Sequence, residues 1–139
     1  MTNTPQNPYA KAAGAYGNHA QKHETSQREL EARVLLKSAR MLKELQDNWD
    51  EVTTEMLDHA LKYNRQIWMM FYDTALENED ESRPNDLRSN IVNLANFIFK
   101  REGDILASRE RTPDKLDVLI NINKEIAAGL MGNTKQIPE

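Results

Sequence analysis

At 139 residues and a formal net charge of -4, with a pI near 5.4, the chain has the length of one domain and lacks the bulk positive charge that draws a module to nucleic acid. Cysteine is absent, which excludes disulfides, thiolate metal sites and cysteine nucleophiles. Five glycines, five prolines and abundant Ala, Leu, Glu, Lys and Arg predict an all-α fold, with no strand signal to compete.

Residues 1–25 hold Pro5, Pro8, Gly14 and Gly17 around a small alanine-rich stretch, and read as an N-terminal arm, loose or carrying a short helix over 8–17. They contain no secretory apolar run, and no stretch reaches the roughly eighteen apolar residues of a membrane helix. The expectation is a cytoplasmic protein with no membrane contact. Ser26-Gln27-Arg28-Glu29 is a capping box, in which the serine oxygen accepts from the Glu29 amide and the Glu29 carboxylate reaches back, so the first long helix is expected to start there. Its apolar face reads Leu30, Val34, Leu35, Ala39, Leu42, Leu45 and Trp49.

Thr53 or Thr54 caps the second long helix, in which Leu57, Leu61, Asn64, Trp68, Phe71 and Ala75 recur at alternating intervals of four and three and so share one face. The polar run from Glu77 to Ser82 reads as a loop; it lacks the ligand spacing and glycine of a calcium loop. Pro84 suits the first turn of a third helix, with Leu87, Ile91, Leu94, Ile98 and Ile105 on one side. Gly103 weakens that helix by about 1 kcal/mol without ending it. Thr112-Pro113 opens a fourth helix with the seam Leu116, Ile120, Asn123, Ala127 and Leu130, expected to stop between Gly129 and Gly132. The architecture predicted is a bundle of four main helices over 26–132, preceded by the arm and followed by a tail at 133–139.

Two seam positions are amides. Asn64 and Asn123 stand where a purely stabilising core would use leucine or alanine, and a buried carboxamide needs partners. One reading has them satisfy each other or a neighbouring indole and set the bundle's register. The other places them in a groove between the second and fourth helices, with Trp68, Met69, Met70, Phe71 and Ile122 as apolar anchors for a partner helix. Arg33, Lys37 and Arg40 form a basic stripe that could meet RNA phosphates or an acidic partner, or remain a solvated face. His19 and His23 lie four apart but lack a third ligand, and His59 is out of phase with the seam, so no metal is expected. Without a phosphate loop, a nucleophile motif or paired carboxylates in an apolar setting, neither enzyme activity nor a cofactor is expected.

From Ser26 through Ala32 into Leu35-Leu36, then Trp49, Ala60-Leu61 with Asn64, Trp68 and Phe71, Leu87-Arg88-Ser89-Asn90-Ile91, and Leu119 through Asn123 with Gly129-Leu130, the motifs in order resemble the FlaF family, flagellar biosynthesis regulators of alphaproteobacteria. The likeness spans about Tyr9 to Leu130. It implies a cytoplasmic protein required for flagellin production, acting as a flagellin secretion chaperone or as a regulator coupled to flagellin translation, through RNA or a protein partner such as FlbT. An unassembled flagellin would expose amphipathic terminal helices, which a helical bundle with an apolar groove can cover. Tyr9, Ala12, Ala13 and Tyr16 make the arm a candidate occupant of that groove in the absence of client. The oligomeric state is left open.

Overall fold

The computed structural model describes residues 8–77 and 85–135, with side chains over 27–77 and 87–132. Four helices, α1 (Pro8–Asp47), α2 (Thr54–Glu77), α3 (Asn85–Ala107) and α4 (Asp117–Lys135), make up nearly all of it, with short 3-10 turns at Trp49–Glu51 and Pro113–Leu116. The Glu77 to Ser82 loop falls, but for Glu77, outside the described residues.

Short connections force neighbouring helices to run antiparallel. α1 packs along α4 and α2 along α3, and α1 also meets α2; α3 and α4 do not pack closely on each other. Polar clasps hold the ends. Gln46 at the end of α1 donates to the Pro113 carbonyl at 2.8 Å and to Asp117 at 2.7 Å at the start of α4. Arg111 donates to the carbonyls of Ile105 (3.2 Å) and Leu106 (2.6 Å) and to the Thr54 hydroxyl (3.2 Å). It thereby caps the C-terminus of α3, where unsatisfied carbonyls and the helix dipole favour a cation, and ties it to the start of α2. At the other end of that pair Arg88 donates to the Ala75 carbonyl at 3.0 Å.

Thr53 is the N-cap of α2, its hydroxyl accepting from the Met56 amide at 3.1 Å. All six residues of the α2 seam are buried, joined by Ala60 and Ile67. Elsewhere the sequence-based expectations need correction. α1 is one uninterrupted helix from Pro8, so Ser26 is interior to it and the capping-box spacing does not mark its start. Leu30 is exposed and Val34 half-buried, while Ala32 and Ser38 are buried, so the core face of α1 is Ala32, Leu35, Ser38, Ala39, Leu42 and Leu45. A stripe of α1 flanked by two helices is judged by its neighbours, and Ser38 faces the amide of Asn64. α4 continues through Gly129 and Gly132 to Lys135, because glycine lowers helix propensity without forbidding it. α3 runs unbroken through Gly103.

Candidate functional site: a buried amide network under an apolar cleft

All four helices send a polar side chain to one point in the core. Ser38 of α1 donates to Asn64 Oδ1 at 2.9 Å, and Asn123 of α4 donates to the same oxygen at 2.7 Å. Asn64 Nδ2 donates to Glu102 Oε2 of α3 at 2.8 Å. Asn123 Oδ1 in turn accepts from the Trp68 indole at 2.9 Å. Ser38, Asn64 and Asn123 have 0% relative exposure and Trp68 and Glu102 have 1%. Both amides therefore use donor and acceptor in fully buried surroundings, the condition under which a polar network specifies one packing instead of weakening it.

Glu102 is the costly member. Its Oε1 has no hydrogen-bond partner among the described residues and faces Arg65 across 3.6 Å, an ion pair that reaches solvent on the Arg65 side, which is 34% exposed. Burial pushes the Glu102 carboxyl up from 4.5 to about 7, against the opposing pull of the Asn64 hydrogen bond and of the Arg65 charge. The consequence for stability has a definite sign. Below pH 4.5 both folded and unfolded chains hold the proton; between pH 4.5 and about 7 the unfolded chain releases it first, so stability falls as pH rises, then levels off. Glu102→Gln keeps a neutral acceptor for Asn64 and removes the titration. Urea unfolding from pH 4.5 to 7.5 should show wild type losing on the order of 3 kcal/mol relative to Glu102→Gln. Parallel profiles for the two proteins would disprove the assignment.

Directly beside the network lies a cleft of about 850 Å³ where α3 and α4 part. Trp68 and Phe71 of α2 form its floor, their rings edge to face with centroids 5.2 Å apart. Leu87, Ile91, Leu94 and Phe97 make the α3 wall, and Ile126 and Leu130 the α4 wall. The spacings 87, 91, 94 and 126, 130 are those of helix faces ready to bury against another element. Polar residues sit at the margins: Asn90 and Asn93 on α3, Glu125 on α4, and Arg28 and Glu31 on α1, Glu31 accepting from Gln27 at 3.3 Å.

The structure divides the candidates read from sequence. Asn64 and Asn123 meet each other in the core. Trp68 and Phe71 are both core and cleft floor. Met69 and Met70 are exposed, at 49% and 46%, and Ile122 is half-buried; none of the three lines the cleft. The cleft described above lies between α3 and α4, with Trp68 and Phe71 of α2 beneath it. Arg33 pairs with Glu29 at 4.0 Å on the surface, the Lys37 ammonium lies 5.3 Å from the centre of the Tyr63 ring, and Arg40 is exposed. His59 is exposed, and His19 and His23 lie outside the residues with described side chains. No group of three or more His, Cys, Asp or Glu among the described residues is placed to hold a metal.

Sequence reasoning missed Ser38, Glu102 and the cleft walls. Glu102 has a legible signal: it falls between Ile98 and Ile105 in the phase of the α3 seam. The upper half of the same seam reads as core in sequence and lines the cleft in the fold.

A four-helix bundle with a hydrogen-bonded polar core and an open apolar cleft is the class that fold and site define. The family model described as flagellar protein FlaF matches residues 12–130, and the chain belongs to that family. It is thus a flagellar protein, of a family not known as one of enzymes. No curated protein and no solved structure matches the chain. Among the described residues no helix is long and apolar enough to cross a membrane.

Proposed function

We propose that this FlaF protein is a flagellin-binding secretion chaperone that acts in the cytoplasm and holds a terminal helical segment of flagellin before assembly. The observation that carries the reading is the open cleft between α3 and α4, in which apolar residues at helical spacing line both walls and two buried aromatics form the floor. A groove of this kind takes the apolar face of an amphipathic helix and keeps it from premature association. The alternative, post-transcriptional action on flagellin message through RNA or through FlbT, draws on Arg33, Lys37 and Arg40. Arg33 and Lys37 already have intramolecular partners, which weighs toward the chaperone.

The test is calorimetric titration of the purified chain with monomeric flagellin and, separately, with flagellin leader RNA at two salt concentrations. The expected result is flagellin binding that is little changed by salt. Ile91→Asp combined with Ile126→Asp should weaken it roughly a hundredfold with the helical content retained. Binding of RNA alone, weakening steeply with salt, would favour the alternative.

A further inference from the structure

We infer that the cleft takes a single three-turn amphipathic helix whose flank along α3 carries amides or hydroxyls in place of charges. This rests on the chaperone reading and specifies the client segment that such a chaperone holds. The walls dictate a helix. In walls made of α-helices the main-chain donors and acceptors are already used internally, so an extended peptide lying in the cleft would leave its own N–H and C=O groups unpaired against Leu, Ile and Trp. A helix arrives with its backbone satisfied and offers only side chains. The gap between α3 and α4 provides its seat, since each is packed on another partner and neither covers the other. From Leu87 to Phe97 the α3 wall spans about 15 Å, the length of three turns.

The margins dictate the flank. On α3 the cleft's polar residues are Asn90 and Asn93, which are exposed, lie three apart and so share a face, and have no side-chain hydrogen bond among the described residues. A charged side chain laid against two neutral amides would lose hydration without a counter-charge, whereas an amide or hydroxyl can exchange donor and acceptor with either. Among the lining residues charge stands on the opposite margin, at Arg28 and Glu31 of α1 and Glu125 of α4, while on α3 the Arg101 guanidinium lies 5.3 Å from the centre of the Phe97 ring at the end of the wall. The bound helix therefore turns its charged edge toward α1 and α4, and Asn90 and Asn93 determine specificity.

Monomeric flagellin titrated into wild type, Asn90→Asp/Asn93→Asp and Asn90→Ser/Asn93→Ser, with hydrogen exchange on the complexes, decides the matter. Both positions are exposed, so the thermal midpoints should agree. The aspartate pair should weaken binding about tenfold or more, and the serine pair, which keeps donors and acceptors, by less than about threefold. Bound flagellin should protect backbone amides across Leu87–Phe97. Equal affinity for the aspartate pair, or protection confined to other helices, overturns the inference and leaves the chaperone reading standing. No flagellin binding by wild type overturns both. Sedimentation that shows a dimer dissolved by the aspartate pair assigns the cleft to a second copy of the chain and likewise overturns the inference.

Discussion

Asn64→Leu is expected to lower the unfolding free energy by roughly 4 kcal/mol and the thermal midpoint by roughly 15 °C, though leucine is close in volume and opens no large cavity. The effect comes from what is stranded. Asn64 is the hub at which Ser38, Asn123 and Glu102 converge, and its removal leaves the Ser38 hydroxyl, an Asn123 amide hydrogen and a Glu102 oxygen without partners. Each is buried, and a buried polar atom without a partner costs roughly 1–3 kcal/mol. Two-state urea unfolding at neutral pH measures it, and a loss below roughly 1 kcal/mol would show that water or repacking serves these atoms. Making the network apolar as a set, with Ser38→Ala, Asn64→Leu, Trp68→Phe, Glu102→Leu and Asn123→Leu together, should recover much of the loss, because the indole N–H that Asn123 accepts is then removed with the rest. The contrast between single and combined variants separates the cost of orphaned atoms from loss of packing.

Trp68→Ala is the second large effect, about 4 kcal/mol, because the side chain is among the largest fully buried ones and its loss removes packing on both the core and the cleft side. Its indole also donates to Asn123, so alanine reopens the amide network from the other end. Trp68→Phe keeps most of the ring and removes only the donor; it should cost about 1–2 kcal/mol. Flagellin titration on the two variants then reads the floor of the cleft apart from the network. Under the chaperone reading, Trp68→Phe retains binding within a few fold, whereas Trp68→Ala weakens it strongly even at temperatures where it is folded. Equal affinity for wild type and Trp68→Ala would place the client elsewhere. Trp68 is where the two halves of the site meet: one edge of the ring is bonded to the amides that join the four helices, and the ring itself supports the cleft.

The helices themselves are written locally. Leu57, Leu61, Asn64, Trp68, Phe71 and Ala75 follow the helical period, and the period alone places all six on the buried face of α2. Thr53 announces the start of α2 because its hydroxyl caps the first turn, and Thr112-Pro113 announces the turn into α4 because proline suits the first position of a helical turn. The same locality explains the failures. The spacing at Ser26 is that of a cap, yet α1 runs through it, since a cap motif states a preference and not a stop.

What sequence alone determined is the all-helical class, the buried face of α2, the two seam amides and the motif order that matches the FlaF family. Only the tertiary structure decided what those faces meet. Leu87, Ile91 and Leu94 carry the same apolar periodicity as Ile98 and Ile105, yet they line a cleft while the latter enter the core. Periodicity reports that a face seeks burial but not which partner covers it, and here α3 and α4 part where the pattern continues. Likewise Asn64 announces that it needs partners, but Ser38, Glu102 and Asn123 lie 26, 38 and 59 residues away, and only the packing of four helices brings them within hydrogen-bonding distance.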